Sequence, residues 1–299
     1  MIKHLKIFIL STTLIFGFLF FGCDKIEGPY GINNGTTPTD TTSDTIIRKV
    51  LLEDFTGHLC QACPSSHVEA KRLQDIYGER LIVLTIHAGY FATTNPVFTS
   101  GSDTIFRKND FQSSTGTTIA TDFGLIFTFP NTLPFPKGLI NRLYKSATST
   151  QYIIDWPDWE ATIDTILQRP ADAGMDIANS FRTADSMMTA TVDIKMVNDY
   201  LNPISLAVYF AEDSIVAPQK TVGVVDTNYI HRHVLRGSFT GAFGETIGAS
   251  ATAGQELNRT YSTKLTPGNA NVNQVYIYAI LFDNVTREVI QVEEKKLIP

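Results

Sequence analysis

The chain has 299 residues and a formal net charge of −6, from 24 lysines and arginines against 30 aspartates and glutamates. At about 150 residues per domain, this length predicts two domains and enough chain for a large core. The acidic balance argues against nucleic acid as the main partner, because binding to phosphates needs a basic surface. The sequence has no long block of like charge and no repeat of fixed period, which excludes solenoids and propellers. Three cysteines remain, and their positions carry most of the functional information.

The amino terminus has the pattern of a secretory signal peptide. A basic start, Lys3 to Lys6, precedes an apolar run from Ile7 to Phe21, and the small residue Gly22 follows. The run is shorter than the ~20 residues that a transmembrane helix needs, so a cleaved signal over residues 1–22 is favoured over a membrane anchor.

The next residue, Cys23, predicts lipidation. The segment Leu19-Phe20-Phe21-Gly22-Cys23 resembles the lipobox of bacterial lipoproteins, in which the signal is cut before a cysteine that receives a lipid. A free or buried Cys23 is the alternative. Residues 23–45 are rich in Gly, Pro, Asn, Thr and Asp and offer little to bury, which predicts a flexible tether. We therefore expect a lipid anchor that holds the protein to a membrane of the cell envelope.

The other two cysteines lie between a predicted strand and a predicted helix. Residues 46–55 are mostly apolar, which is typical of a strand inside a sheet, and residues 65–77 approximate helical spacing. Residues 81–87 predict a second buried strand. The amides and dipole at a helix amino terminus stabilise a thiolate, so Cys60 is expected to be an exposed nucleophile. Cys63 is placed to resolve a mixed disulfide by attacking Cys60.

These residues resemble the thioredoxin superfamily, and the match extends beyond the cysteine pair. Asp54 and Phe55 stand where thioredoxins carry an Asp-Phe pair, at the end of the strand that enters the active site. The resemblance implies that Asp54 is a buried carboxyl that shuttles a proton for Cys63. A turn-capping or surface carboxylate is the alternative.

The superfamily also places a cis-proline against the cysteines. Pro136 is the candidate, because it leads into a short strand-like run, and Pro134 is in reserve. The chain departs from the compact thioredoxin pattern by an insertion over residues 88–128. Residues 156–167 predict a helix that closes a thioredoxin-like domain over residues 46–170.

Disulfide exchange by the cysteine pair needs no dissociable cofactor. Other chemistries are alternatives for the same residues. A c-type haem site in its usual form is excluded, because Pro64 stands where that site needs histidine. A structural zinc site lacks a second cysteine pair. A copper site stays open, since thiolates select Cu(I). Its candidate ligands are the cysteine pair and three nearby histidines: Cys60, Cys63, His58, His67 and His87. An inert disulfide also stays open, although so short a loop constrains little of the unfolded chain.

From Ala173 the pattern changes to alternating strands separated by turns. It predicts an antiparallel, immunoglobulin-like β-sandwich of about seven strands over residues 171–299. The predicted fold class is therefore α/β plus all-β. Within this part, residues 229–236 form a basic and aromatic patch, in which His231 and His233 alternate and are candidates for a shared ligand or metal site. The favoured interpretation of this patch is a loop packed over the sandwich.

The whole arrangement resembles one family, the outer-membrane-protein-twenty-eight-related lipoproteins of Gram-negative bacteria. The resemblance rests on the lipobox and on residues 52–64, 136–142 and 233–236, and it covers most of the mature chain. It implies an outer-membrane lipoprotein, facing the periplasm or the surface, with a thioredoxin-like domain followed by a β domain.

Two functions fit this resemblance, because a fold does not fix an activity. One is thiol–disulfide exchange on the thiols and disulfides of exported proteins. The other is non-enzymatic binding of an envelope or host surface ligand, with an inert disulfide. The residues expected to carry the exchange reaction are Cys60, Cys63, Asp54 and Pro136.

Overall fold

The computed structural model describes residues 46–94, 110–127, 131, 133–143, 152–266 and 270–298. The predicted signal peptide, Cys23 and the tether lie outside the described residues, as does part of the predicted insertion. Within the described part of the chain, no helix is both long and apolar enough to span a bilayer.

The cysteine pair lies in a strand–helix–strand unit, as predicted. β1 (Val50–Thr56) and β2 (Leu81–His87) pair in parallel, and α1 (Cys63–Tyr77) connects them. Every residue of both strands is buried. This is the expected environment of continuous apolar strands, which need cover on both faces of the sheet.

Two further strands extend this unit on the other side of β1. β3 (Lys137–Ile140) pairs antiparallel with β1, and β4 (Ile153–Ile154) pairs with β3. α2 (Ser114–Asp122) lies inside the predicted insertion. α3 (Trp159–Leu167) follows a 3₁₀ turn over Trp156–Asp158, so the helix predicted over residues 156–167 is confirmed.

Strands dominate the rest of the chain. β5 (Ala173–Arg182), β6 (Met187–Met196) and β12 (Glu256–Lys264) form a three-stranded antiparallel sheet, in the order β12-β6-β5. β8 (Ile215–Lys220) and β9 (Val225–His231) form a separate hairpin. The remaining strands join the large sheet: β7 (Ile204–Glu212), β10 (Val234–Ser238), β11 (Glu245–Gly248), β13 (Val275–Asp283) and β14 (Val289–Lys296).

The large sheet contains strands from both halves of the chain, in the order β14-β13-β7-β10-β2-β1-β3-β4, with β11 beside β7. β10 joins the halves, because it pairs antiparallel with β7 and parallel with β2, where Val234 lies opposite Thr85. Thr85 N also donates a hydrogen bond to His233 O at 2.8 Å. Residues 45–299 form one compact unit. The boundary predicted after residue 170 lies inside this unit.

The two faces of the large sheet are covered by different elements. One face packs against α2 through Leu51, Phe55, Ile82, Ile86, Ile119 and Phe123. On the opposite face, α1 and α3 cover β1 and β2 through Leu52, Val83, Leu73, Trp159 and Ile163. Further along that face, the three-stranded sheet covers β7 and β13 through Ile177, Val192, Leu206, Val208, Ile277 and Leu281. The first part of the chain contains helices and mixed strands, and the part after residue 170 is nearly all strand. The predicted fold class, α/β plus all-β, is confirmed at this coarse level.

The strand count differs from the sequence prediction. The described residues from 173 onward contain ten strands, and the sequence missed β8, β9, β10 and β11. These strands are short or largely exposed, so they lack the apolar alternation that marks a half-buried strand. The interpretation of residues 229–236 as a loop was wrong, because they form the end of β9 and the start of β10.

Candidate functional site

Cys60 and Cys63 are joined by a disulfide, with their Cα atoms 5.4 Å apart. Cys60 N donates to Gly57 O at 2.9 Å, which closes a turn after β1. Cys63 begins α1 and Pro64 stands in its first turn, where a missing N–H costs nothing because that group has no partner in the helix. The predicted exposure of Cys60 is wrong, because packing leaves only 2% of Cys60 and 0% of Cys63 exposed in the disulfide form. The residues between them, 61 and 62, are exposed.

The segment that contains Pro136 lies against the nucleophile candidate. The Phe135-Pro136 peptide bond is cis, and Phe135 O lies 3.5 Å from Cys60 Sγ. β3 begins at Lys137, directly after this segment. The structure therefore brings together the predicted proline and the cysteine pair.

A short part of the predicted insertion covers the turn before the cysteines. Leu59 N donates to Phe91 O at 2.9 Å, and the rings of Phe91 and Phe135 have centroids 5.5 Å apart. A side chain at Gly57 would collide with the Phe91 carbonyl, so glycine permits this close approach. Phe91 and Phe135 thus enclose the Cys60 side of the disulfide.

The β8–β9 hairpin holds the same turn from the other half of the chain. Gln219 Nε2 donates to Cys60 O at 2.9 Å and to Gly57 O at 3.3 Å. Lys220 N donates to His58 O at 2.7 Å. Gln219 is 0% exposed, so these bonds are shielded from water. Sequence reasoning missed this contact, since a lone glutamine in a turn-rich stretch gives no signal of a partner so far away.

Asp54 is buried behind the cysteine pair, as the thioredoxin resemblance implied. Burial raises the pKa of Asp54 to about 8, and a hydrogen bond from Ser66 opposes the rise. Ser66 Oγ lies 3.5 Å from Asp54 Oδ2 and donates to Cys63 O at 2.9 Å. A carboxyl that titrates close to neutral pH is suited to accept and return a proton.

His67 contacts Asp54 from α1. Its Nε2 lies 3.7 Å from Asp54 Oδ2 and 3.0 Å from Thr56 Oγ1. Its Nδ1 lies 2.6 Å from the hydroxyl of Tyr229, on β9. Burial lowers the pKa of His67 to about 3, and nearby His231 adds to the effect, so the imidazole is neutral at pH 7.

Three more imidazoles surround Phe111. The centroids of His231, His87 and His58 lie 4.8, 5.1 and 6.1 Å from that of Phe111. Burial lowers the pKa of each. Among the residues that the structure describes, no group of three or more His, Cys, Asp or Glu side chains is arranged to hold a metal ion. The copper alternative therefore has no three-ligand site in that part of the chain.

A cavity of about 460 Å³ lies between α1 and β9. It is lined by Asp54 and by both histidines of the basic and aromatic patch, His231 and His233, together with His67, His87 and Tyr229. The alternating histidines do reach a common space. His233 Nδ1 lies 3.3 Å from Tyr278 OH, and its Nε2 lies 3.4 Å from the Gln74 amide nitrogen.

The buried ring of His87 gives a pH-dependent prediction. Neither ring nitrogen has a hydrogen-bond partner among the described residues, and burial lowers the His87 pKa well below 6.5. Below pH 6.5, His87 of the unfolded chain binds a proton, whereas the buried His87 of the folded protein stays neutral. The free energy of unfolding therefore decreases as the pH decreases below 6.5. We expect the His87→Phe variant to escape this loss. Its advantage in the free energy of unfolding should grow by up to about 1.4 kcal/mol per pH unit below 6.5, measured by urea unfolding. An advantage that is the same at pH 7.5 and pH 5 would contradict this.

A buried ion pair beside Asp54 was also missed by sequence reasoning. Arg142 donates to Glu53 through Nε at 2.9 Å and through Nη2 at 2.7 Å, and both side chains are 0% exposed. The guanidinium lies 5.6 and 5.5 Å from the ring centroids of Phe123 and Phe282. The sequence signal that could have found this pair is the presence of two residues of opposite charge, each inside an apolar segment.

The backbone that presents Arg142 is fixed by its neighbour. Asn141 and Arg142 both have left-handed φ values, 47° and 51°. Asn141 Oδ1 accepts from Leu51 N at 2.7 Å, and Asn141 N donates to Leu51 O at 2.9 Å. Asparagine tolerates this conformation better than most residues. The turn after β3 is thereby locked to β1.

Solved structures of two Porphyromonas gingivalis proteins match this chain. The solved structure of HBP35 of Porphyromonas gingivalis is similar, with a TM-score of 0.59 and 16% identity over 84% of this chain and 76% of that one. This likeness shows a shared fold. A domain of the outer membrane lipoprotein Omp28 from Porphyromonas gingivalis matches at 23% identity and a TM-score of 0.30, over 43% of this chain and 90% of that one.

Sequence comparison identifies the family. No curated protein matches the chain significantly. Residues 131–299 match the sequence model of the family described as outer membrane protein Omp28, which is more than half of the chain. The chain therefore belongs to the Omp28 family of outer membrane proteins, and its location is the outer membrane of the cell envelope.

Proposed function

We propose that this protein is a lipid-anchored thiol–disulfide oxidoreductase that acts on exported proteins. The observation that carries the proposal is the Cys60–Cys63 disulfide at the amino terminus of α1, with the buried Asp54 carboxyl behind it. We assign residues 46–170 to a thioredoxin-like domain and residues 171–299 to an immunoglobulin-like sandwich. The parallel β1–β2 pair and the packed antiparallel sheets support these assignments.

The reaction uses the side chains already described. In the reduced protein, the Cys60 thiolate attacks a substrate disulfide, forms a mixed disulfide and releases one substrate thiolate. Cys63 then gives its proton to the Asp54 carboxylate and attacks the sulfur of Cys60. The bond between Cys60 and the substrate breaks, and the second substrate thiolate leaves. The substrate disulfide has gained two electrons, and the cysteine pair has lost two. The reverse sequence oxidises a substrate dithiol.

The exposed surface beside the pair supports attack by a partner polypeptide. Residues 61 and 62 are exposed between the two buried cysteines. The Phe135 carbonyl lies 3.5 Å from Cys60 Sγ, so a substrate chain that binds along this segment is brought to the nucleophile. We propose that Cys23, once lipidated, holds this site at the outer membrane, where exported proteins with thiols or disulfides pass.

The first test is the equilibrium reduction potential of the purified protein, combined with cysteine variants. We expect a potential between about −120 and −270 mV, the range of working oxidoreductases. Cys60→Ser should abolish reduction of a disulfide-containing peptide, and Cys63→Ala should trap a mixed disulfide with it. Cys23→Ser is the matched control and should leave the exchange rate unchanged. Full exchange activity in Cys60→Ser would contradict the proposal.

A second candidate function rests on the burial of both cysteines. With 2% and 0% exposure, Cys60 and Cys63 are shielded as a structural bridge would be. The protein would then be a non-enzymatic surface lipoprotein that binds an envelope or host ligand. A potential below about −300 mV, with resistance to mild reductant, would favour this function over exchange.

A further inference from the structure

A proton that reaches Asp54 needs a route to water. The side chain is 1% exposed, and Oδ1 has no hydrogen-bond partner among the described residues. Ser66, on the side of Cys63, is its hydroxyl contact. A proton that does not return to Cys63 must therefore leave Asp54 through another neighbouring group.

His67 is placed as that group. One ring nitrogen, Nε2, lies 3.7 Å from Asp54 Oδ2, and the other, Nδ1, lies 2.6 Å from the Tyr229 hydroxyl. Thr56 Oγ1 lies 3.0 Å from Nε2 and fixes the ring plane. The His67 side chain is 18% exposed, so it reaches from the buried carboxyl toward solvent.

The cavity between α1 and β9 provides the water. Its volume of about 460 Å³ has room for several waters. Asp54, His67 and Tyr229 all line it. Among its lining residues, Asp54 and His87 have buried polar atoms without a partner in the described part of the chain. Such atoms are the usual partners of internal water.

We propose that His67 is the proton relay that connects Asp54 with the water of this cavity. This inference rests on the proposed function, because a relay is needed only if Asp54 takes a proton from Cys63. In the relay, one water of the cavity carries the Asp54 proton across the 3.7 Å to Nε2, Nδ1–H passes to the Tyr229 oxygen, and the Tyr229 hydroxyl hydrogen passes to water. Only O–H and N–H bonds change, so the electron balance of the cysteine steps is untouched.

The surroundings of His67 favour a neutral relay. The titratable groups that face it are Asp54 from β1 and Tyr229 and His231 from β9, while Lys71 and Asp226 line the same cavity. Burial and His231 keep the imidazole uncharged. A neutral ring that accepts at one nitrogen and donates at the other passes a proton without storing a charge.

The test separates the two chemical steps in the full-length protein. We expect His67→Ala to slow the attack of Cys63 on the mixed disulfide at least about tenfold at pH 7, a smaller loss than that of a general base because cavity water partly replaces the ring. The first attack by Cys60 should keep its rate. Added imidazole should restore the second step in a saturable way, because the space left by the ring opens into the cavity.

His67→Gln and Lys71→Met complete the design. Glutamine keeps hydrogen bonds to Thr56 and Tyr229 but does not relay a proton, so it should be as slow as His67→Ala and decides the matter if the alanine variant does not fold. Lys71→Met changes the same cavity and should leave both steps unchanged. A wild-type second step in the His67 variants, or a loss in His67→Ala that imidazole does not restore, would overturn the relay while exchange by the wild type survives. Absence of exchange in the wild type would instead remove the proposed function and the relay with it.

Discussion

Replacing Arg142 by methionine is expected to destabilise the protein by about 3 to 5 kcal/mol, as for other broken buried ion pairs. The cause is the partner left behind, because the Glu53 carboxyl would stay at 0% exposure without the bidentate donor that now binds it. Urea unfolding, extrapolated linearly to water, measures the difference in the free energy of unfolding.

Two control variants make the Arg142 result specific to charge. The double variant Glu53→Leu/Arg142→Met removes both charges and should recover most of the loss, because apolar replacement of a whole buried pair is often neutral. Arg72→Met breaks ion pairs of an exposed arginine with Glu69 and Glu160, and should leave the free energy of unfolding nearly unchanged. If the double variant is as unstable as the single one, packing around Phe123 and Phe282 is responsible instead.

Asp54→Asn is expected to stabilise the oxidised protein strongly at alkaline pH. Burial raises the Asp54 pKa from 3.8 to about 8, so between these values the folded protein holds a proton that the unfolded chain has lost. Stability therefore falls as pH rises from about 4 to about 8, and the lost free energy is on the order of 5 kcal/mol. Asparagine stays neutral throughout and avoids the loss.

The measurement is the free energy of unfolding of both proteins across pH 4 to 9. The advantage of Asp54→Asn should be small near pH 4, grow by up to about 1.4 kcal/mol per pH unit, and level off above pH 8. Asp176→Asn, at a carboxylate with 71% side-chain exposure, is the matched control and should show no such trend. A constant advantage at every pH would show that Asp54 is not the titrating group.

Local patterns explain which elements the sequence could predict. β1 and β2 are mostly apolar runs, and β7 and β13 are long enough for their pattern to be unambiguous. The β8–β9 hairpin has no such pattern, since its strands are half exposed and pair only with each other within the described residues. The hairpin contacts the turn before Cys60. The two segments lie far apart in the chain, so no local stretch of sequence contains both of them.

The candidate site divides in the same way. Cys60, Cys63, Asp54 and Pro136 belong to a motif whose spacing is visible in the chain. His67 was noticed only as a copper-ligand candidate, because the contact that defines its environment comes from Tyr229, 162 positions later. The Glu53–Arg142 pair is likewise set by the antiparallel register of β1 and β3, in which Glu53 lies opposite Leu139.

The position of β10 has a consequence for secretion of the chain. β2 is buried along its whole length, and the strand that covers its outer edge contributes Val234, far toward the carboxy terminus. A chain that is exported amino terminus first thus presents a bare hydrophobic strand edge, a template for aggregation, until most of its length has emerged. The segment before β1 finds its partner later still, because Gln291 Nε2 donates to Ile47 O across almost the whole sequence. Resistance to proteases is therefore gained late and in a single step. A fragment cut after residue 170 lacks β10, the strand that shields the edge of β2.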